Sequence, residues 1–348
     1  MFKLKTKILF GKGCLSKLDA IEGKKAVIFS SNSMEKYGFL DEVLEHIKMP
    51  YALIKNIKPE PDEKNIENYV KILDKENADI IIAIGGGSVI DTAKASLFHY
   101  KNAKLIAIPS TSGSGSEVTG ASVLKNEYGI KYSIVADYLI PEYAFLDARL
   151  PEKMNSRLAA NTGMDALTHA IEAYVSKFAS PFSDAFAIMS AKKIFHNLYD
   201  SVKGNSSARE IMHYASCMAG IAILNARVGL CHAMSHKLGM SGLSHGLLNA
   251  ILIDYVIEYN MKDEYARKRY DEIANELHLK NDELIKAIRE LKKKIGIKKL
   301  KNYIREEEFN NMLEFISKEA ALDNLMKFNP VKASKEEIKE IYEKAYYG

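Results

Sequence analysis

Over the first 150 residues the apolar positions fall in short continuous runs separated by longer amphipathic stretches. Residues 25–30 (KAVIFS), 79–84 (DIIIAI) and 104–108 (KLIAI) read as strands buried on both faces, and the second and third are closed by turn residues. Between them, residues 62–76 and 89–99 carry the apolar spacing of helices. The opening MFKLKTKILFGKG alternates polar and apolar residues as a further strand does. Buried strands joined by helical crossovers predict a largely parallel sheet covered on both sides. One insertion differs: residues 121–124 and 131–135 flank Asn126-Glu127-Tyr128-Gly129, the signature of a hairpin. After Leu150-Pro151 the spacing turns helical, from about Ser156 nearly to the end. Ser334-Lys335-Glu336-Glu337 has the form of a capping box and opens a last helix after Asn329-Pro330. The chain therefore reads as an α/β domain over residues 1–152 and an all-helical domain over 153–348, and ligands are expected where such domains meet.

Composition narrows the class. The length of 348 residues suits two domains of about 100–200 residues each. Lysines are interleaved with acids, the formal charge is only +4, and the Lys-rich stretch 292–301 reads as a solvated helix face, so no nucleic-acid partner is expected. Three cysteines, Cys14, Cys217 and Cys231, lie far apart with no CxxC pair, which suits a reducing cytoplasm. No run approaches the roughly 20 apolar residues of a membrane span, and the N-terminus lacks a signal-peptide core. A cytoplasmic protein acting on a small molecule is the expectation.

Two loops carry a nucleotide signal. The strand at 79–84 runs into Gly85-Gly86-Gly87-Ser88 and then a helix bearing Asp91 and Lys94. Glycines there let the backbone approach a phosphate, and a helix N-terminus supplies free N–H donors. The following strand ends in Pro109-Ser110-Thr111-Ser112-Gly113-Ser114-Gly115-Ser116-Glu117. Neighbouring parallel strands set their carboxyl-end loops side by side, where sheets of this kind bind ligands. The pair predicts a pyrophosphate cradle, although neither loop is a GxGxxG or a GK[ST] motif.

The helical half carries a metal signal. Asp165 and His169 stand four apart in GMDALTHAIE and share one helix face. His232 and His236 do the same in CHAMSH, and His245 follows in Ser244-His245-Gly246. The other five histidines are scattered. One carboxylate and three imidazoles suit Fe²⁺ or Zn²⁺ and leave room for a substrate oxygen. Spacing alone leaves open which histidine is spare.

Taken in order, these motifs resemble the iron-containing (type III) alcohol dehydrogenases. The resemblance runs from Phe10-Gly11-Lys12-Gly13 through GGGSVIDTAKA, PSTSGSGSEVT, GMDALTHAIEAY and CHAMSH to His245-Gly246. It implies a Rossmann-like α/β domain with a mostly parallel sheet and an all-α C-terminal domain, a dehydroquinate synthase-like architecture. It also implies hydride transfer between a small alcohol or aldehyde and NAD(P), and a homodimer built by edge strands. By resemblance, Asp165, His169, His232 and His245 are the metal ligands and His236 is the nearby non-ligand histidine, a candidate proton relay. Gly86, Gly87, Ser88 and Asp91 then face the cofactor, with Ser110, Thr111 and Ser114 from the second loop and Lys131 from the hairpin.

Three departures bear on specificity. Some members carry an Asp after the second strand that rejects a 2′-phosphate; here Ser31 stands there, which favours NADP(H) over NAD(H). Pro59-Glu60-Pro61 replaces a Pro-Asn-Pro segment, and Ile223 replaces a frequent pocket aromatic. Alternative readings are a zinc glycerol-type dehydrogenase, a lyase of the dehydroquinate synthase type, and a non-catalytic metal- or nucleotide-binding protein. The lyase needs a basic pocket, and only Arg227 and Lys237 lie near the histidines in sequence.

Overall fold

The computed structural model describes residues 1–57, 63–125, 131–281 and 283–348. The Pro59-Glu60-Pro61 segment and the 126–129 turn lie outside the described residues. The chain divides into two compact units, Lys3–Met154 and Asn155–Gly348, with Met1–Phe2 joining the latter.

The first unit is built on six strands: β1 (Lys7–Phe10), β2 (Ala26–Ser30), β3 (Tyr51–Ile54), β4 (Ile80–Gly85), β5 (Lys104–Pro109) and β8 (Tyr143–Leu146). All pair in parallel, in the order β1-β8-β5-β4-β2-β3. Strand side chains alternate between faces, and here both faces are apolar. Ile28, Ile80, Ile82, Ile84, Ile106 and Ile108 meet Leu15, Leu18, Leu40 and Val43 on one side. Val27, Phe29, Ile81, Ala83 and Leu105 meet Leu73, Ile90, Ala93 and Leu97 on the other. The helices of this unit are α1 (Asn32–Lys36), α2 (Phe39–Glu45), α3 (Glu63–Glu76) and α4 (Gly87–Tyr100). A separate antiparallel pair, β6 (Ala121–Lys125) and β7 (Lys131–Val135), forms the expected hairpin.

The second unit is helical: α5 (Ser156–Val175), α6 (Pro181–Val202), α7 (Ser206–Ala226), α8 (Leu230–Leu238), α9 (His245–Asn260), α10 (Glu264–Glu276), α11 (Leu284–Lys294), α12 (Glu306–Ala321) and α13 (Lys335–Tyr347). Ser334 and Glu337 close the predicted capping box on α13. From Ala159 to Val175 nearly every residue of α5 is buried, and α9 is buried from Leu247 through most of its length. Helices apolar on all sides form the centre of a bundle. Polar groups on α5 and α9 are therefore held by packing on several sides. No single helix among the described residues is long and apolar enough to cross a membrane.

Candidate functional site

Asp165 and His169 lie on α5, His232 and His236 on α8, and His245 opens α9. The ligand atoms of Asp165, His232 and His245 all lie within 4.8 Å of one another. His245 Nε2 stands 3.6 Å from Asp165 Oδ1. The His169 ring stacks on that of His232 with centroids 4.7 Å apart, beside this trio rather than within it. His236 lies on the other side, its ring stacked on His245 at 5.0 Å. Asp165, His169, His232 and His236 are buried, whereas the His245 side chain keeps 27% of its surface exposed, so the cluster opens on that side. One carboxylate oxygen and two or three imidazole nitrogens at this spacing fit a divalent cation of the iron or zinc class.

Two further side chains organise the cluster. Glu172 lies three residues past His169 on α5 and is almost wholly buried. Its Oε2 is 2.5 Å from His232 Nδ1, and its Oε1 accepts the Cys231 N–H at 2.7 Å. The N-cap residue of α8, Gly229, has no side chain to offer, so Glu172 caps that helix from α5 while Asn329 accepts the Leu230 N–H. Burial pushes the Glu172 carboxyl up to about 7, opposed by the N–H donors of Gly229, Cys231 and His232. Burial, then the neighbouring His169 and His236, hold the His232 imidazole far below its usual value and hence neutral, the form that ligates. A carboxylate on Nδ1 keeps the proton there and turns the Nε2 lone pair toward Asp165 and His245. Asn249, one turn after His245, donates from Nδ2 to Asp165 Oδ1 at 2.7 Å and stands 3.1 Å from Nε2 of both His232 and His245. Sequence reading gave neither residue a role. Their signals were helical offsets from a proposed ligand: seven from Asp165 for Glu172, four from His245 for Asn249.

Gly246 is why α9 can come this close. A Cβ there would meet the Asn161 carbonyl oxygen at 2.4 Å and Asp165 Cβ at 3.2 Å. Gly246→Ala should thus force α9 off α5 where Asp165 and His245 converge. Stability should fall by about 1–3 kcal/mol, as overpacking does, and metal retention with it. Denaturant unfolding and metal analysis of the purified variant check both.

In the sheet-containing unit Ser31, Gly86, Gly87, Ser88, Ser110, Thr111 and Ser114 follow the carboxyl ends of the neighbouring strands β2, β4 and β5. Gly85 pairs with Pro109, and Ser110 N–H donates to the Gly85 carbonyl at 2.8 Å. A Cβ on Gly86 would meet Thr111 Cγ2 at 3.3 Å, and one on Gly87 would meet Ser114 Oγ at 2.7 Å. The two loops thus touch through glycine backbone, and Gly86, Gly87, Ser88, Thr111 and Ser114 stay partly exposed. Ser31 follows β2 as the N-cap residue of α1, its Oγ 3.0 Å from Ser33 Oγ. Asp91 is engaged internally: Oδ1 accepts Ser116 Oγ–H at 2.6 Å and Oδ2 accepts the Val123 N–H at 3.1 Å. Lys131 begins β7, opposite Lys125.

Comparison with known proteins agrees with both units. Residues 5–148 match the family described as iron-containing alcohol dehydrogenase, and residues 159–346 match the C-terminal part of the same family. An alcohol dehydrogenase of Thermococcus barophilus is 46% identical, with 99% of each chain covered. An NADPH-dependent butanol dehydrogenase of Clostridium saccharobutylicum is 40% identical over 100% of this chain and 98% of its own. The solved structure of an iron-containing alcohol dehydrogenase from Thermococcus thioreducens superposes with a TM-score of 0.97 at 44% identity, covering all of both chains. Similar in sequence and in fold along its whole length, the chain belongs to the iron-containing alcohol dehydrogenase family and is an oxidoreductase acting on CH–OH groups.

Proposed function

We propose that the helical unit holds one Fe²⁺, with Zn²⁺ as the alternative, through Asp165, His169, His232 and His245. The sheet-containing unit then binds the dinucleotide through Ser31, Gly86, Gly87, Ser88, Asp91, Ser110, Thr111, Ser114 and Lys131. The observation that carries the reading is the convergence of the Asp165, His232 and His245 ligand atoms around a buried, carboxylate-oriented imidazole. Bound there, the divalent cation would supply Lewis-acid polarisation of the substrate oxygen, making a hydroxyl acidic near neutral pH.

The chain's own residues do the rest. Glu172 keeps the His232 proton on Nδ1, and the surrounding apolar helices keep water from all but the His245 side. His236, its ring centroid 5.0 Å from that of His245, would take or return the hydroxyl proton at a ring nitrogen. His236→Gln should slow turnover by about 10²-fold, within the range of lost acid–base catalysis, while the metal stays bound. Loss of the metal in that variant would make His236 a ligand instead.

NADP(H) is the favoured cofactor. A hydroxyl at Ser31 offers a 2′-phosphate no repulsion, and the Clostridium relative is named as NADPH-dependent. A homodimer through edge strands is the assembly that fits the family, and β1 lies at one edge of the sheet. The test of the function is oxidation of NADPH and of NADH by short aldehydes, using protein purified without oxygen and supplied with Fe²⁺. Metal-dependent oxidation, faster with NADPH, is the expected result; oxidation of neither cofactor with any aldehyde of a broad panel would count against it.

A further inference from the structure

Lys94 lies mid-way along α4 and is completely buried. Its ammonium donates to the Ser116 carbonyl at 2.6 Å, to Ser116 Oγ at 2.8 Å and to the Ala121 carbonyl at 2.9 Å, with Thr119 Oγ1 at 3.4 Å. These acceptors belong to the end of the serine-rich loop and the start of the hairpin. Ser116 Oγ passes its own hydrogen to Asp91 Oδ1, one helical turn before Lys94 on α4. The Ser116 N–H reaches Ser114 Oγ at 3.3 Å, and Ser114 is the side chain packed on the backbone of Gly87. An unbroken set of contacts therefore runs from the buried ammonium through Ser116 and Ser114 to the glycine loop.

Burying an ammonium is costly, and an apolar side chain of similar volume commonly serves stability as well or better. Desolvation draws Lys94 down to about 8, opposed by Asp91 and Glu117. What the ammonium adds over an apolar residue is a set of directed donors, which fix where the 110–116 loop lies relative to α4.

We propose that Lys94 is a positioning residue for dinucleotide binding: it clasps the serine-rich loop from beneath and holds Ser110, Thr111 and Ser114 in register with Gly86 and Gly87. The proposal rests on the cofactor reading above. It separates two groups of residues that one motif runs together, since GGGSVIDTAKA would contain both loop residues that meet the cofactor and a buried residue that sets their partner loop.

The test compares wild type, Lys94→Met and Ser116→Ala as metal-loaded enzyme. Ser116→Ala breaks the relay while leaving the ammonium its bonds to the Ser116 and Ala121 carbonyls and Asp91 its bond from the Val123 N–H, and so remains informative if Lys94→Met folds poorly. NADPH and NADH affinities are read from the fluorescence of the reduced nicotinamide, and KM and kcat are read separately. Lys94→Met should raise the dissociation constant and KM for the cofactor by about tenfold or more, as loss of a charged hydrogen-bond set does. Ser116→Ala should do so to a smaller degree. In both, kcat at saturating cofactor and metal content should stay near wild type. A purely structural Lys94 would lower the unfolding temperature and the active fraction at unchanged KM, which overturns the proposal. Variants that bind dinucleotide as the wild type does overturn it too. A wild type that binds neither dinucleotide overturns the cofactor reading, and this proposal with it.

Discussion

His232→Ala should leave a protein that retains no metal and has lost turnover by about 10³-fold or more, equivalent to several kcal/mol of transition-state stabilisation. His232 is the best-fixed member of the Asp165–His232–His245 trio, buried and held at Nδ1 by Glu172. Removing the ring deletes one of the converging nitrogens and takes from Glu172 Oε2 its imidazole partner, leaving a desolvated carboxyl capping α8. The unfolding free energy of the metal-free protein should also fall, by about 1–3 kcal/mol, the penalty for an unsatisfied buried polar group. Metal analysis after gel filtration and the aldehyde-dependent oxidation of NADPH read the two functional effects. Full activity in a metal-free His232→Ala protein would end the metal assignment.

Glu172→Gln tests the orientation of that ligand rather than its presence. The amide oxygen can still accept the Cys231 N–H, so α8 keeps its cap and the fold should survive. The amide nitrogen, however, then donates toward His232 Nδ1, which places the imidazole proton on Nε2, the side facing Asp165 and His245. A nitrogen carrying that proton does not ligate. Flipping the amide restores the tautomer but sets two donors against each other at Cys231. Either way, metal affinity should drop by about 10–100-fold, the usual effect of losing the partner that orients a ligating histidine. Competition with a chelator for Fe²⁺ measures it, and an unchanged far-ultraviolet circular dichroism spectrum shows that the fold is intact. Wild-type metal affinity in this variant would remove Glu172 from the site.

The parts of the fold that were legible in the sequence were those with one dominant local signal. The apolar runs that became β2, β4 and β5 are buried on both faces, so their periodicity had no competitor. β3 and β8 are four residues each, too short to carry a pattern, and β3 is an edge strand whose Tyr51 is exposed. The short helix α1 begins inside the Ser30-Ser31-Asn32-Ser33 stretch, whose residues favour a turn, and α2 follows it closely. At the site, the four-residue spacing of Asp165 with His169 and of His232 with His236 announced itself on single helices. The role of Glu172 did not, because it depends on where the start of α8 sits against α5, a matter of tertiary packing. Gly246 was read only as a family signature, and its physical meaning appeared when the approach of α9 to the Asn161 carbonyl could be measured. Lys94 is the strongest case of override: a lysine in a helix reads as a solvated residue, yet its ammonium is enclosed by Ser116, Thr119 and Ala121.

On the proposed reading, a single metal at the Asp165–His232–His245 convergence is what makes this alcohol dehydrogenase active. Titration of the metal-stripped protein with Fe²⁺ in the absence of oxygen, following aldehyde-dependent NADPH oxidation, tests it most directly. Activity should start near zero, rise in proportion to added metal and level off at one equivalent per chain. Turnover by the metal-free protein at the plateau rate would contradict the account.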